Sequence, residues 1–426
     1  MNNKQNISIA VIGLGYVGLP LARLLSTKYK TVGFDKNAQR VKELMQGHDH
    51  TLEVEDALLQ DAIKQGFICT DNLEDIRSCN IYIVAVPTPV DVNNRPDLTP
   101  LIKASTTVGQ VIAKDDIVIY ESTVYPGVTE EECIPAIEQV SGLTFNQDFY
   151  AGYSPERINP GDKEHTVETI KKVTSGSTPE IADFVDSLYN AVLKNGTHKA
   201  PSIRVAEASK IIENAQRDVN IAFMNELARI FNAMDIDTND VIEAAASKWN
   251  FIKMKPGLVG GHCIGVDPYY LIQKAQVYGV MPRIMSTARR LNDGMGEYVG
   301  YQVIKLMNKK GIMVKDAQIL ILGITFKENC PDIRNTKVVD IYTTLKEYTN
   351  NIAIYDPIAN AGEVKQEYGL DVVSDVKMLN KQFDAVILAV SHDQFLHINL
   401  NALATDNHII YDVKGVLDRE SIDGRL

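Results

Sequence analysis

Residues 7–20 read ISIAVIGLGYVGLP and decide the fold of the first part of the chain. An apolar, β-branched run leads into a G-x-G-x-x-G spacing of Gly13, Gly15 and Gly18, and a helical pattern comes next. In such a loop the first glycine permits a tight turn, the second lets a pyrophosphate approach, and the third lets the helix pack against the strand. The next strand ends at Asp35, whose carboxylate can accept both ribose hydroxyls and would repel a 2′-phosphate. The stretch predicts a βαβ unit that binds NAD rather than NADP; the alternative is a glycine turn that binds nothing.

The rest of the chain repeats this rhythm at both ends, with helices between them. Because the strand-like runs are almost continuously apolar, they suit parallel strands that are buried on both faces. These runs lie at 7–14, 31–35, 80–87, 116–122, 317–324, 351–357, 383–390 and 408–413. Residues 205–234 contain no Gly or Pro and predict one long helix, and further helices are expected around 237–247, 268–278 and 285–310. We therefore predict an α/β fold of two Rossmann-like, doubly wound parallel-sheet domains (1–203 and 312–426) joined by a helical domain (204–311) with a long central helix.

Composition excludes several other classes of protein. The chain has 426 residues, 45% hydrophobic residues and a formal net charge of -12. An acidic chain argues against nucleic acid or an anionic membrane as the partner, and no apolar stretch is long enough to span a bilayer. The five cysteines are scattered and form no C-x-x-C pair, which favours a reducing cytoplasm over a disulfide framework or a metal site.

A glycine-rich segment, PGLVGGHCIGVDP at 256–268, carries one of these cysteines. Asp267 followed by Pro268 predicts the start of a helix, with Asp267 as the N-cap. Cys263 would then lie just before a helix N-terminus, a setting that lowers the pKa of a thiol. The alternative is a small buried hydrophobic residue. We interpret His262 as structural, because neighbouring side chains rarely face each other.

A thiol beside a nicotinamide can carry an alcohol through an aldehyde and a thioester to an acid. Such a site needs a base for water and donors for an oxyanion. Glu156 is a candidate for the base, and Thr123 lies in the segment 121–127 that ends a predicted strand, where open parallel sheets place their ligands. Lys210 and Asn214, one helical turn apart on the predicted long helix, are candidate donors. For each of them, the alternative is an ordinary surface or packing residue.

Together these motifs resemble the nucleotide-sugar 6-dehydrogenases of the UDP-glucose/GDP-mannose dehydrogenase superfamily. The resemblance covers essentially the whole chain and is closest to the branch that oxidises UDP-N-acetylglucosamine or UDP-N-acetylgalactosamine. Its motifs are GLGYVGLP (13–20), VPTP (86–89), ESTVYPGVT (121–129), GYSPERINPGD (152–162), EASKIIENAQRD (207–218), PGLVGGHCIGVDPYYL (256–271), GITFKENCPDIRNTK (323–337) and IYDP (354–357).

The resemblance implies a role for each matching residue. Cys263 would form the thiohemiacetal and thioester, Lys210 and Asn214 would stabilise the oxyanion, and Asp267 would assist proton transfer. Thr123 would position water and Glu156 would serve thioester hydrolysis. The residues implied to bind NAD are Gly13, Gly15, Tyr16, Val17, Gly18, Asp35, Arg40, Pro87, Thr88, Ser122, Thr123 and Arg334. Those implied to bind the UDP-sugar are Arg157, Ile158, Asn159, Lys210, Asn214, Gly260, Phe326 and Lys327.

One stretch departs from the UDP-glucose enzymes, which carry Pro-Glu-Phe-Leu-Ala-Glu-Gly where residues 155–161 read PERINPG. A changed sugar-facing segment fits an N-acetyl group at C2. We therefore expect a four-electron, NAD-dependent oxidation at C6 of a UDP-N-acetylhexosamine, supplying surface polysaccharide synthesis, in a cytoplasmic homodimer or larger assembly. The alternatives are a UDP-glucose 6-dehydrogenase, a two-electron 3-hydroxyacid dehydrogenase and a nucleotide sensor without activity.

Overall fold

The computed structural model describes residues 6–91, 93–157, 166–261, 264–379 and 381–426. The chain divides into two compact units. The first comprises Met1–Glu213 with Tyr269–Tyr278, and the second comprises Asn214–Pro268 with Gly279–Leu426.

The first unit is built on a sheet of eight described strands in the order β3-β2-β1-β4-β5-β6-β7-β8. Neighbouring strands are parallel except for β6 and β7. The first six positions have the order 3-2-1-4-5-6 that is typical of dinucleotide-binding sheets. The strands are β1 (Ser8–Ile12), β2 (Lys30–Phe34), β3 (Ile68–Thr70), β4 (Ile81–Val84), β5 (Ile117–Tyr120), β6 (Tyr150–Tyr153), β7 (Lys172–Gly176) and β8 (Thr197–Lys199).

Both faces of this sheet are covered. Ala10 and Ile12 of β1 belong to one buried apolar cluster, whereas Ile9 and Val11 belong to another. Side chains of a strand point alternately to the two faces, so these clusters are the two layers of core that the continuous apolar runs predict. The covering helices are α1 (Gly18–Ser26), α2 (Ala38–Met45), α3 (Asp56–Lys64), α4 (Thr99–Gly109), α5 (Ile134–Ser141) and α6 (Pro179–Asn190).

The second unit holds a five-stranded parallel sheet among its described residues, in the order β10-β9-β11-β12-β13. Relative to its own first strand this order is 2-1-3-4-5, the other common doubly wound arrangement. The strands are β9 (Ile319–Leu322), β10 (Ile352–Tyr355), β11 (Phe383–Leu388), β12 (Ala404–Asp412) and β13 (Gly424–Arg425). As in β1, alternate residues of β9 enter separate clusters: Ile319 and Ile321 one, Leu320 and Leu322 the other.

Helix α7 (Ile203–Ala233) confirms the long helix and contributes residues to both units. The later helices are α8 (Thr238–Ala246), α9 (Asp267–Val277), α10 (Arg283–Asp293), α11 (Met295–Lys309), α12 (Val338–Lys346), α13 (Ala361–Tyr368) and α14 (Leu400–Leu403). The segment predicted around 285–310 is not one helix, because Gly294 ends α10 and precedes α11. Glycine is a poor residue for a helix interior, and it lets the chain change direction here.

The predicted fold class, two doubly wound sheets with a helical region and a long helix, is confirmed. The two domain boundaries, after residues 203 and 311, stay a prediction. Among the helices of the described residues, none combines the length and the apolar character that a membrane span requires.

Candidate active site

The three glycines of the turn after β1 have the steric environments that their spacing predicts. Gly13 has a φ of +93°, and a Cβ there would lie 2.7 Å from the carbonyl oxygen of Ala85. A Cβ on Gly18 would lie 1.8 Å from the Gly13 oxygen, so the start of α1 can pack here only without a side chain. A Cβ on Gly15 would meet no atom within 4 Å. The backbone at Gly15 is therefore open to a pyrophosphate, with the N-terminus of α1 beside it.

Asp35 closes the other side of this turn. One carboxylate oxygen accepts the backbone N–H of Leu14 at 2.9 Å, and the other accepts that of Asn37 at 2.9 Å. The side chain is half-buried, directly after β2. Each carboxylate oxygen has a second lone pair, so the group can also accept ribose hydroxyls. The residues present fit an NAD molecule bound along this edge.

Arg40 lies beneath the turn rather than at its surface. The side chain is 5% exposed, its Nε donates to the Leu14 oxygen at 3.0 Å, and its guanidinium pairs with Asp49 at 2.6 Å. Burial alone would raise the pKa of Asp49, but hydrogen bonds from Thr51 and Arg40 hold it below its usual value. Arg40 is therefore placed to support the glycine turn through its backbone.

The loops after β4 and β5 are tied to each other. Ser122 donates its hydroxyl to the Val86 oxygen at 2.7 Å, and Thr88 donates to the Thr123 oxygen at 2.8 Å. The structure thus brings Pro87 and Thr88 together with Ser122 and Thr123, at the carboxyl ends of two neighbouring parallel strands. Ligands of open α/β sheets bind at this edge.

Glu156 lies shortly after β6 and is 8% exposed. Its backbone N–H donates to the Glu121 oxygen at 3.2 Å. Below it, the buried Lys172 ammonium donates to the Glu121 carboxylate at 2.5 Å and to the Pro155 oxygen at 3.2 Å, while Tyr189 donates to the same carboxylate. Burial raises the pKa of Glu121 to about 7, although Lys172 opposes the shift. This buried pair was not predicted from the sequence, in which Glu121 lies inside a strand-like run (116–122) and Lys172 lies in none.

Arg157, a predicted sugar-site residue, is already engaged. Its guanidinium pairs with Glu213 of α7 and donates to the Lys171 oxygen at 2.8 Å. Its predicted neighbours in that site, Ile158 and Asn159, lie outside the described residues.

Lys210 and Asn214 are both 5% exposed and lie one turn apart on α7, as predicted. Asn214 donates its amide to the Asp267 carboxylate at 2.5 Å. Helix α9 begins at Asp267 itself, so Asp267 is the first helical residue instead of the predicted N-cap. Its carboxylate lies in the first turn, where the helix dipole stabilises negative charge.

Glu207, on the same helix, was missed by sequence reasoning. It is fully buried and accepts the backbone N–H groups of Gly127 at 2.6 Å and Thr129 at 3.0 Å. Burial raises its pKa to about 7 against these hydrogen bonds. Glu207 fixes the turn just after Thr123. A signal was available, because Glu207 stands at helical spacing from Lys210 and Asn214.

The glycine-rich segment before residue 263 packs against the loop after β9. A Cβ on Gly260 would lie 2.7 Å from the Asn335 oxygen, and one on Gly261 would lie 2.7 Å from the Phe326 ring. Gly261 also donates its N–H to the Arg334 oxygen at 3.1 Å. These contacts bring Gly260 and Phe326, two predicted substrate residues, to one place.

Arg334 and the cysteines complete the predicted set. The Arg334 guanidinium pairs with Asp332 at 2.5 Å. Cys263 and His262 lie outside the described residues. The other four cysteines are buried, and burial raises the pKa of Cys69 and of Cys133 to about 12, which fits packing residues. Among the described residues no cluster of His, Cys, Asp or Glu could hold a metal ion.

Family profiles account for most of the chain. Residues 7–193 match the NAD binding domain of the UDP-glucose/GDP-mannose dehydrogenase family, residues 204–294 its central domain and residues 320–419 its UDP binding domain. The chain belongs to the UDP-glucose/GDP-mannose dehydrogenase family. The resemblance found in the sequence motifs is confirmed, and so is the expectation of an NAD-dependent enzyme.

Individual relatives of this dehydrogenase are similar over their full length. It is 56% identical over 425 residues to the UDP-N-acetyl-D-glucosamine 6-dehydrogenase of Pseudomonas aeruginosa, across 99% of this chain and 100% of that protein. The enzyme of the same name from Salmonella typhi is 55% identical, across 99% of each. The solved UDP-D-ManNAc dehydrogenase from Pyrococcus horikoshii superposes with a TM-score of 0.90 at 28% identity, over 98% of both chains.

Proposed function

We propose that this dehydrogenase oxidises the C6 hydroxyl of a UDP-N-acetylhexosamine, UDP-GlcNAc or UDP-GalNAc, to the uronic acid for surface polysaccharide synthesis. The observation that carries the proposal is the 56% identity, over the full chain, to an enzyme named for oxidation of UDP-N-acetyl-D-glucosamine. The open glycine turn, with the carboxylate of Asp35 beside it, supports NAD as the cofactor.

The chemistry is a four-electron oxidation in two steps. Bound at the glycine turn, NAD would supply the hydride acceptor for each oxidation at C6, with a fresh NAD molecule for the second. Between the steps the Cys263 thiolate adds to the C6 aldehyde and holds it as a thiohemiacetal. Loss of the second hydride from C6 leaves a thioester, and water then releases the acid and the free thiol.

Residues of α7 stabilise the oxygen on C6. Lys210 supplies a positive charge and Asn214 an amide donor, and both favour an alkoxide over a neutral oxygen. The hydrogen bond from Asn214 to Asp267 fixes the amide in place. Asp267, at the start of α9, assists proton transfer at the thiol and at the C6 oxygen.

Hydrolysis falls to residues at the end of the first sheet. Glu156 acts as the base that takes a proton from water, and Thr123 positions that water. The backbone of Glu156 is held from two sides, by the Glu121 oxygen and by Lys172 through the neighbouring Pro155 oxygen. Arg334 completes the set of NAD contacts.

The UDP-sugar contacts come from three segments. Arg157, Ile158 and Asn159 line the sugar near its C2 substituent, and Gly260 contributes backbone. Phe326 and Lys327 lie in the part of the chain that matches the UDP binding domain.

A panel of UDP-sugars with NAD tests this function. We expect UDP-GlcNAc or UDP-GalNAc to be oxidised faster than UDP-glucose, with two NADH formed per sugar. Cys263→Ser should abolish acid formation, whereas Cys330→Ser, which alters a buried cysteine in the second unit, should leave it intact. One NADH per sugar with an aldehyde product, or full acid yield from Cys263→Ser, would remove the covalent route.

We propose further that the enzyme works as a homodimer or larger assembly in the cytoplasm. The long helix α7 exposes apolar side chains, among them Phe223 and Ile230, that a second copy of the chain could cover. Light scattering under assay conditions tests this, and a monomeric mass would contradict it.

A further inference from the structure

One face of α7 is polar and yet buried. Lys210, Asn214, Asp218 and Asn225 succeed one another at intervals of four, four and seven residues, which places them in one row on the helix. Each is at most 5% exposed. Buried polar groups are costly unless they are paired, so a row of them calls for a reason beyond packing.

The last residue of this row, Asn225, forms hydrogen bonds with the glycine-rich segment. Its side-chain amide donates to the Gly257 oxygen at 3.0 Å, and its carbonyl accepts the Gly257 N–H at 2.8 Å. The side chain thus pairs with the backbone of Gly257 in both directions, as a neighbouring strand would. Gly257 is the second residue of the segment 256–261 that leads to Cys263.

A second layer fixes the orientation of that amide. Asn225 also donates to the Asn292 carbonyl at 2.8 Å, and Asn292 donates to Asp218 at its backbone oxygen (2.9 Å) and its carboxylate (2.7 Å). Arg289 pairs with the same carboxylate at 2.5 Å. Because the Asn292 amide nitrogen donates to Asp218, the Asn292 side-chain carbonyl faces Asn225 and accepts its hydrogen bond. The network therefore allows only one orientation of the Asn225 side-chain amide, in which its carbonyl oxygen faces the Gly257 N–H.

The other end of the segment is also held. Gly261 donates its N–H to the Arg334 oxygen at 3.1 Å, and Asn335 donates its amide to the Gly261 oxygen at 3.2 Å. Among the described residues of this segment, Gly257 is fixed to α7 and Gly261 to the loop after β9.

We propose that Asn225, backed by Asn292 and Asp218, is a positioning residue that fixes the glycine-rich segment on α7. Asn214 lies about three turns away on the same row, so the segment and the proposed oxyanion donor share one rigid support. The proposal rests on the proposed function, in which the chemistry occurs at Cys263. Asn225 itself touches neither substrate nor cofactor and acts through Gly257.

Asn225→Asp tests the proposal with minimal change in shape. The new carboxylate keeps the acceptor for the Gly257 N–H but cannot donate to the Gly257 oxygen or to Asn292. We expect kcat to fall roughly tenfold to a hundredfold, because small misplacements of a reacting group cost this much. The KM for NAD should stay within about twofold, since the glycine turn that binds NAD is untouched.

Asn232→Asp is the matched control. It makes the same exchange on the same helix at a half-buried position, where the amide donates to the Tyr298 hydroxyl at 3.2 Å, and it lies outside the network. We expect its kcat to equal that of the wild type.

Amide hydrogen exchange in the full chain without substrate gives a second readout. Residues 252–261 should exchange faster in Asn225→Asp than in the wild type and unchanged in Asn232→Asp. If Asn225→Asp fails to fold, Asn225→Ser, which adds no buried charge, takes its place with the same expectations. A folded Asn225 variant with wild-type kcat, or with lowered kcat and unchanged exchange, would overturn the proposal. Should the wild type oxidise no UDP-sugar, the proposed function fails, whereas the exchange comparison still decides the role of Asn225.

Discussion

The two sheets of this dehydrogenase begin with the same turn. In each, a glycine comes directly after the first strand and donates its N–H to the end of the next strand: Gly13 at 2.9 Å and Gly323 at 2.8 Å. Their φ angles are +93° and +90°. In each, the residue after the glycine donates to an aspartate at the end of the second strand, at 2.9 Å to Asp35 and 2.7 Å to Asp356.

The segments after these two glycines differ. Helix α1 begins at Gly18, so its N-terminus lies beside the first turn, whereas the next helix after Gly323 is α12, which begins at Val338. The positions of the second and third glycines are Thr325 and Glu328 in the second turn. A glycine turn with an aspartate beside it is therefore a feature of both sheets, and only the first adds the helix N-terminus that favours a pyrophosphate.

The aspartates beside the two turns also differ, in how deeply their carboxylates are buried. Asp35 is half-buried, whereas Asp356 is fully buried and lies 3.2 Å from the Nε2 of His392. Asp356 also accepts the backbone N–H groups of Ile358 and Ala359. The Asp356 carboxylate thus serves only to stabilise the fold, whereas the Asp35 carboxylate remains accessible to a ligand.

The largest effect should come from the third glycine of the first turn. Gly18→Ala places a Cβ 1.8 Å from the Gly13 oxygen, so α1 must shift. We expect the free energy of unfolding to fall by about 1–3 kcal/mol or more, and NAD binding to be lost. Thermal unfolding and calorimetric titration with NAD measure both.

Gly15→Ala separates folding from binding. Its Cβ meets no atom of the protein, so the unfolding temperature should not change, whereas NAD should bind on the order of a hundredfold more weakly, about 2–3 kcal/mol. Thr325→Ala, at the matching position of the second turn, should leave NAD affinity unchanged. Wild-type affinity in Gly15→Ala would mean that the pyrophosphate does not approach this turn.

Asp356→Asn should affect stability alone, whereas Gly18→Ala affects both stability and NAD binding. The new amide cannot accept from all the backbone N–H groups and from His392 together. We therefore expect the free energy of unfolding at neutral pH, measured by urea unfolding, to fall by about 2–4 kcal/mol. NAD affinity should not change, which distinguishes Asp356 from its counterpart Asp35.

This loss should depend on pH. Burial alone would raise the pKa of Asp356, but hydrogen bonds from His392 and from backbone N–H groups hold it below its usual value. A carboxyl group with a lower pKa in the folded state stabilises the fold above its unfolded pKa, about 4, and the contribution disappears as the pH falls through the folded pKa. The variant should therefore differ most from the wild type at neutral pH and least in acid. An equal difference at both would contradict the role of the charge.

Sequence predicted the first turn more fully than the second. The spacing of Gly13, Gly15 and Gly18 specifies the turn because each position has its own steric demand. For the second turn, the sequence showed only that strands and helices alternate as they do in the first unit. The burial of Asp356 could not be predicted, because it depends on His392, which follows the next strand. Asn225 was missed because its partner Gly257 is distant in sequence.

The smallest effect, and the one that decides the comparison, should come from Asp35→Asn. The amide oxygen can still accept the Leu14 N–H, so the stability loss should be less than half of that in Asp356→Asn. Removing the charge removes the repulsion of a 2′-phosphate, and the ratio of kcat/KM for NAD to that for NADP should fall roughly tenfold or more. Arg40→Lys serves as the control, because it weakens the support of the turn without changing the charge beside the ribose. If the ratio is unchanged in Asp35→Asn, this carboxylate serves only the loop, and the two turns do not differ in the way that their burial indicates.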